Sequence, residues 1–230
     1  MLPPLFIAHS FVKDILFPYA RNHLNDFVQS HMSKEEITTL CKALAKEVEA
    51  SGGTVSSDMC DRPHALVTYL MDRDIKSAAL KDLQGRMWKA GYEVGEIKGH
   101  VYSDFKPMLQ WMQSHEVDVY IYSSGSIQAQ KLLFENSQEG DLLPYLKGHF
   151  DIPTAGNKKE ASSYTNIAQS IGVDPDQIVF VSDAEAELQA ARKAGISNAI
   201  MSIRPGNARL TDYGKSLPSL YSLLQLCGGN

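Results

Sequence analysis

Two serines in the second half of the chain have the residue type and the position that phosphate binding requires. The β-rich run VDVYIY at 117–122 ends in Ser123-Ser124-Gly125-Ser126, directly before a helical pattern. Because the N-terminus of a helix presents unpaired N–H groups and the positive end of its dipole, Ser123 and Ser124 could hold phosphate oxygens with hydroxyl and amide together. The alternative is a simple helix cap, since serine is an ordinary N-cap residue.

A lysine and an aspartate follow later in the chain. Lys158 lies in the polar loop at 154–160, where its ammonium could neutralise a phosphoryl group or a carboxylate nucleophile. The run IVFV at 178–181 leads into Asp183, which could bind Mg²⁺ together with phosphate oxygens, with Glu187 nearby. The alternatives are that Lys158 is a solvated surface charge, and that the carboxylates only cap the next helix and complement its dipole.

These groups need a sheet that brings the strand ends together. After about residue 100, the runs at 117–122, 178–181 and 199–203 alternate with helical patterns. Such alternation predicts an α/β fold with a parallel sheet between helices, and it places a ligand site at the carboxyl ends of the strands. We expect one last helix after Thr211.

The first hundred residues predict helices and no clear strand, because apolar residues recur at spacings of three and four. Ser33 and Glu36 form a capping-box pattern at the start of one helix, and SGGTVSS at 51–57 is typical of a loop. A further helix is predicted at 77–89, with Gly91 as its C-terminal stop.

Composition excludes several classes of protein. The 230 residues are 43% hydrophobic and 21% charged, with a net charge of −5, so the chain is typical of a globular protein and not of a nucleic-acid binder. Cys41, Cys60 and Cys227 are too few and too scattered for a disulfide framework or a zinc site, which favours a reducing compartment. We expect a cytosolic protein without a signal peptide or a membrane partner.

Several long segments resemble one known family. They are SFVKDILFPYA (10–20), LQGRMWKAGYEVGEIKGHVYSD (83–104), VYIYSSGS (119–126), GNKKEASSY (156–164), VFVSD (179–183) and RPGNA (204–208). Together they are similar to acireductone synthase, the enolase-phosphatase of methionine salvage, which is a hydrolase of the haloacid dehalogenase superfamily. The similarity extends over nearly the whole chain.

The resemblance implies a doubly wound, Rossmann-like parallel sheet with an inserted helical cap. The phosphatase core would comprise residues 1–20 and 101–230, and the cap residues 21–100. The implied reaction enolises 2,3-diketo-5-methylthiopentyl-1-phosphate and then dephosphorylates it to the acireductone 1,2-dihydroxy-3-keto-5-methylthiopentene. The cap would exclude water from the enol intermediate.

The family's functional residues transfer to matching positions of this chain. Ser123 and Ser124 match the substrate-phosphate serines, Lys158 matches the motif lysine, and Asp183 matches the aspartate that binds one Mg²⁺ per subunit. The loop from Arg204 to Asn207 matches a family loop, although a turn at Pro205-Gly206 explains it as well. The resemblance also implies a monomer in the cytoplasm, with the nucleus as a second location, and a small phosphorylated substrate as the only partner.

One motif departs from the family. A DIEGT-like strand end should precede the SFVKD stretch and supply the nucleophilic aspartate and its partner glutamate, but MLPPLFIAH stands there, with Met1 and Pro3 at the two positions. No catalytic nucleophile is therefore assigned. Residues Leu5 to Ala8 could form only a poor substitute strand. We expect a shortened or alternatively started version of an enzyme, and the alternatives are a catalytically dead phosphate-binding homologue or a different haloacid dehalogenase-like phosphatase.

Overall fold

The chain forms two compact units. One unit is Lys13–Ile97, and the other joins Met1–Val12 to Lys98–Asn230. This computed structural model describes residues 11–57, 59, 62–75 and 77–228, so the substitute strand predicted at Leu5 to Ala8 lies outside the described residues. Within the described ranges, no helix combines the length and the apolar character that a membrane span requires.

The unit Lys13–Ile97 contains helices and no strand among its described residues, as its apolar spacing predicts. A π-helical segment, Phe11–Leu16, leads into it. Its helices are α1 (Phe17–Asn22), α2 (Leu24–His31), α3 (Lys34–Ala50), α4 (Pro63–Asp72) and α5 (Ala78–Glu93). Their buried faces form one aliphatic core that includes Leu24, Leu44, Leu66, Leu70, Leu83 and Met87.

The predicted capping box of α3 is confirmed. Ser33 accepts a hydrogen bond from the amide of Glu36, whose carboxylate accepts one from the amide of Ser33. The predicted stop of α5 at Gly91 is wrong, because the helix continues to Glu93. A Cβ at Gly91 would lie 2.7 Å from the ring of Tyr19, so this glycine permits close packing and does not end the helix.

The other unit alternates strands and helices. The strands are β1 (Tyr120–Tyr122), β2 (Gly148–Phe150), β3 (Val179–Ser182), β4 (Asn198–Ser202) and β5 (Ser219–Leu220). The helices are α6 (Phe105–Ser114), α7 (Ile127–Glu135), α8 (Ile152–Ala155), α9 (Ala161–Ile171), α10 (Glu185–Lys193) and α11 (Asp212–Ser216). The described residues also form three short 3-10 segments, at Leu143–Tyr145, Pro175–Gln177 and Leu223–Cys227, and the last of them follows β5.

All pairs between the described strands of this unit are parallel, which confirms the predicted α/β class. β1 pairs with β2, and β3 pairs with β4, which in turn pairs with β5. The predicted runs at 117–122, 178–181 and 199–203 correspond to β1, β3 and β4, whereas β2 and β5 were not predicted. In a parallel sheet the carboxyl ends of neighbouring strands lie at one edge, where ligands bind in folds of this kind.

The prediction of one last helix after Thr211 is wrong. The tail forms the short α11, then β5, and then the 3-10 segment Leu223–Cys227. Thr211 caps α11 by accepting a hydrogen bond from the amide of Gly214. The residues that follow α11 form β5, which pairs with Met201 and Ser202 of β4, so the helix does not continue.

Candidate active site at the carboxyl ends of the strands

The loop after β1 is tied to the end of β2. Ser123 is fully buried, its amide donates to the carbonyl of Phe150 at 3.1 Å, and its hydroxyl accepts from the amide of Gly125 at 3.1 Å. The N-cap of α7 is Ser126, whose hydroxyl accepts from Ala129. Since Ser126 performs the capping, the cap explanation does not account for Ser123 or Ser124.

A second polar loop joins α8 to α9 and carries Lys158. Gly156 lies in this loop with a φ of 110°, and a Cβ there would lie 2.5 Å from the hydroxyl of Ser163. Two tyrosines hold the loop, because Tyr122 donates to the carbonyl of Gly156 at 2.8 Å and Tyr164 donates to the carbonyl of Lys158 at 2.7 Å. Burial raises the pKa of Tyr122 to about 12, so its hydroxyl remains a donor at neutral pH.

The side chain of Lys158 is buried and ion-paired, which contradicts the alternative of a solvated surface charge. Only 7% of Lys158 is exposed, and its Nζ lies 2.6 Å from Oε2 of Glu187. The same carboxylate oxygen accepts from the hydroxyl of Ser182 at 2.8 Å. The ammonium also lies 5.5 Å from the ring centre of Tyr122, so the cation contacts side chains from β1 and α10, and Glu187 connects it to Ser182 at the end of β3.

Asp183 follows β3 directly and is partly exposed. The N-cap position of α10 is occupied by Ala184, with no side-chain cap, so the cap explanation does not account for Asp183. Burial raises the pKa of Tyr102; the charge of Arg204 opposes this rise, and the charges of Asp104 and Asp183 add to it. Asp183 is therefore within electrostatic range of Tyr102.

These contacts bring the neighbours of the predicted residues together. Lys158 contacts Tyr122, which precedes Ser123, and its partner Glu187 contacts Ser182, which precedes Asp183. Positive and polar groups thus collect at one end of the strands, as anion binding requires. The positions of the missing family motif, Met1 and Pro3, lie outside the described residues.

The donors near Asp183 limit how a metal could be held. The described residues contain no group of three or more His, Cys, Asp or Glu side chains that could bind a metal ion. Glu187 is already engaged by Lys158 and Ser182. Because Mg²⁺ accepts one or two carboxylates together with water and phosphate oxygens, the donor set fits an ion shared with a bound phosphate, and it does not fit an ion held by side chains alone.

A second buried ion pair lies in the loop after β4, where the sequence allowed either a family loop or a simple turn. The guanidinium of Arg204 lies 2.7 Å from Oδ2 of Asp104. The main-chain N–H of Arg204 donates to Oδ1 of Asn207 at 3.1 Å. Gly206 has a φ of 88°, as a turn requires. The predicted turn is therefore present and carries a buried arginine, and the match to a family loop stays a prediction.

Comparison of the sequence with known families identifies one that has parallel strands and functional residues at the strand ends. The family model of the haloacid dehalogenase-like hydrolases matches residues 17–195. The chain belongs to the haloacid dehalogenase-like hydrolases.

The chain is similar to two curated relatives that carry the same name and to one protein of known structure. Enolase-phosphatase E1 of Danio rerio is 42% identical over 218 residues, which cover 88% of this chain and 83% of the relative. Enolase-phosphatase E1 of Xenopus tropicalis is 43% identical, with 90% and 84% covered. The UTR4 protein of Saccharomyces cerevisiae has a solved structure with a TM-score of 0.76 and 34% identity, covering 96% of this chain and 94% of that one.

Proposed function

We propose that this chain carries the substrate site of the enolase-phosphatase reaction in methionine salvage. That reaction enolises 2,3-diketo-5-methylthiopentyl-1-phosphate and dephosphorylates the product to 1,2-dihydroxy-3-keto-5-methylthiopentene. The observation that carries the proposal is the buried ammonium of Lys158 between the ends of β1 and β3. The 42% identity to enolase-phosphatase E1 over most of both chains supports the same substrate.

Each residue of the site has a role in this proposal. Ser123 and Ser124 bind phosphate oxygens with hydroxyl and amide groups, and Lys158 neutralises the phosphoryl charge. Asp183 holds Mg²⁺ jointly with the phosphate, and the ion when bound supplies further neutralisation of that charge. The helical residues 21–100 serve as the cap, which excludes water from the enol.

Dephosphorylation also needs a carboxylate nucleophile, and the residues before Ser10 do not supply one. MLPPLFIAH contains neither Asp nor Glu, and the first acidic residue is Asp14. Methionine and proline side chains cannot attack phosphorus, and loss of a covalent nucleophile costs on the order of a millionfold in turnover. This observation favours a second candidate function, the binding of the phosphorylated ligand without turnover.

The deciding experiment is an assay of Mg²⁺-dependent phosphate release. The 230-residue chain is compared with a variant in which a DIEGT-type segment precedes Ser10, with the diketo phosphate and with unrelated phosphomonoesters as substrates. We expect release only by the extended variant, only from the diketo phosphate, and only while Asp183 is present.

Three results would contradict parts of this proposal. Turnover by the 230-residue chain would mean that another carboxylate is the nucleophile. Equal turnover of unrelated phosphomonoesters would reassign the substrate. Full activity of the extended variant after Asp183→Ala would remove the metal role, and Asp118→Ala, at an exposed position, is the matched control.

A further inference from the structure

The amide of Gln130 connects the loop after β1 to the end of β2. Gln130 lies in the first turn of α7 and is fully buried. Its Nε2 donates to the carbonyls of Gly125 and Phe150, both at 2.9 Å. Its Oε1 lies 3.1 Å from Nδ1 of His149.

The orientation of this amide follows from its partners. The carbonyls of Gly125 and Phe150 can only accept, so the NH₂ group of Gln130 must face them. The amide oxygen then faces His149, whose Nδ1 must carry a hydrogen. Burial lowers the pKa of His149, with a smaller contribution from the charge of Lys131, so a neutral ring protonated at Nδ1 meets this requirement.

The bond to Gly125 fixes the direction of a peptide group in the predicted phosphate loop. In a trans peptide the carbonyl of Gly125 and the N–H of Ser126 point in opposite directions. Gln130 therefore holds the Gly125 oxygen inward, and the Ser126 N–H points away from Gln130. A carbonyl turned the other way would repel an anion, whereas an N–H can donate to one.

A second bond fixes the base of the same loop. The carbonyl of Phe150 accepts from Nε2 of Gln130 and from the amide of Ser123. The Gln130 side chain thus binds Gly125 directly, and it is connected to Ser123 through the Phe150 carbonyl that both residues share.

We infer that Gln130 is a positioning residue for phosphate, which holds the Gly125–Ser126 peptide with its carbonyl directed inward and its N–H available to the anion. This inference rests on the proposed phosphate site at Ser123 and Ser124. Gln130 itself touches no phosphate, so its effect is expected on the binding of an anion and on the order of the loop.

The test compares Gln130→Met, which keeps the length of the side chain and removes its hydrogen bonds, with Asn136→Leu. Asn136 is the C-cap of α7, and among the described residues its side-chain amide donates to the carbonyl of Leu132 in the last turn of that helix. The measurements are the Kd of inorganic phosphate, the hydrogen exchange of amides 123–126 and the urea unfolding curve. We expect Gln130→Met to weaken phosphate binding about tenfold and to speed exchange in the loop, and Asn136→Leu to do neither.

Unchanged loop exchange and phosphate affinity in a folded Gln130→Met chain would overturn the inference. If the wild-type chain binds no phosphate, the proposed phosphate site fails, and loop exchange alone then decides whether Gln130 orders the loop. If Gln130→Met does not fold, His149→Phe replaces it, because this change removes only the donor to Oε1. We expect His149→Phe to have the same effects at about a third of the size, and their absence would overturn the inference.

Discussion

Two buried ion pairs in the α/β unit have nearly the same length and different surroundings. Lys158 and Glu187 are 2.6 Å apart, and Arg204 and Asp104 are 2.7 Å apart. Each cation also lies over a tyrosine ring. Distance and burial therefore do not distinguish the two pairs.

The partners around each pair do distinguish them. Oδ2 of Asp104 also accepts from the hydroxyl of Ser222 at 2.9 Å and from the amide of Leu223 at 2.8 Å, and Arg204 donates to the carbonyl of Tyr221 at 3.1 Å. This carboxylate joins the residue before α6 to the segment after β5. Its position in a network of main-chain partners indicates a structural role.

The pair at Lys158 has fewer connections. In the described part of the chain, the ammonium has one ion-pair partner, Glu187, which also accepts from Ser182. A buried cation with so few partners can exchange its carboxylate for a phosphate oxygen at little structural cost. The two pairs therefore differ in how many further hydrogen-bond partners they have. Many such partners indicate an ion pair that stabilises the fold, and few indicate one whose cation can bind a ligand.

The largest effect is expected from Asp104→Ala. This change leaves the buried guanidinium of Arg204 with the carbonyl of Tyr221 and no carboxylate, and it removes the acceptor of Ser222 and Leu223. Breaking a buried pair in this way costs about 3–5 kcal/mol. Urea denaturation measures the free energy of unfolding. Asp118→Ala, in an exposed pair with Lys147, should change it by about 0.5 kcal/mol or less, and an equally small loss for Asp104→Ala would contradict the structural role.

A smaller effect, on ligand affinity, is expected at the other pair. Lys158→Met should weaken the binding of inorganic phosphate at least about tenfold, or 1.4 kcal/mol, because the buried cation is lost. Glu187→Gln should strengthen this binding severalfold, because a competing anion is removed. Calorimetric titration measures both, with Lys159→Met at the exposed neighbouring lysine as the control. Equal affinities in the Lys158 and Lys159 variants would contradict the assignment.

The smallest effect is a difference in pH dependence at the ring beneath Lys158. Because the pKa of Tyr122 is raised to about 12, the unfolded chain releases this proton near pH 10 while the folded chain retains it. The contribution of the Tyr122 hydroxyl to the free energy of unfolding is therefore fully present below pH 10 and is lost as the pH rises toward 12. The full shift corresponds to about 2.7 kcal/mol, which screening by solvent reduces, so wild-type protein should lose about 1 kcal/mol more than Tyr122→Phe between these pH values. Parallel stability curves would contradict this.

The elements that could be predicted from the sequence depend on local signals. The capping box of α3 needs only Ser33 and Glu36, which lie within one turn. Gly91 was misassigned because its role depends on Tyr19, far away in the sequence. The strands β2 and β5, with three and two residues, are too short to show a periodicity, and pairing with distant strands defines them.

The candidate site was predictable in its residue types and not in its contacts. Residues after parallel strands meet at one edge, so Ser123 and Asp183 could be selected by position. The partner of Lys158 could not, since Glu187 also fits a helix N-terminus. Gln130 carries no sequence signal of its role, because a glutamine in an amphipathic helix is ordinarily exposed.

Gly156 has a consequence for how natural variants of this chain are interpreted. At its φ of 110° an L-residue is strained, and a Cβ would collide with Ser163. A missense change there would displace the main chain two residues before Lys158, although it replaces no charged or polar side chain. Variants at this glycine should therefore be grouped with those of the site residues, although it contributes no functional group of its own.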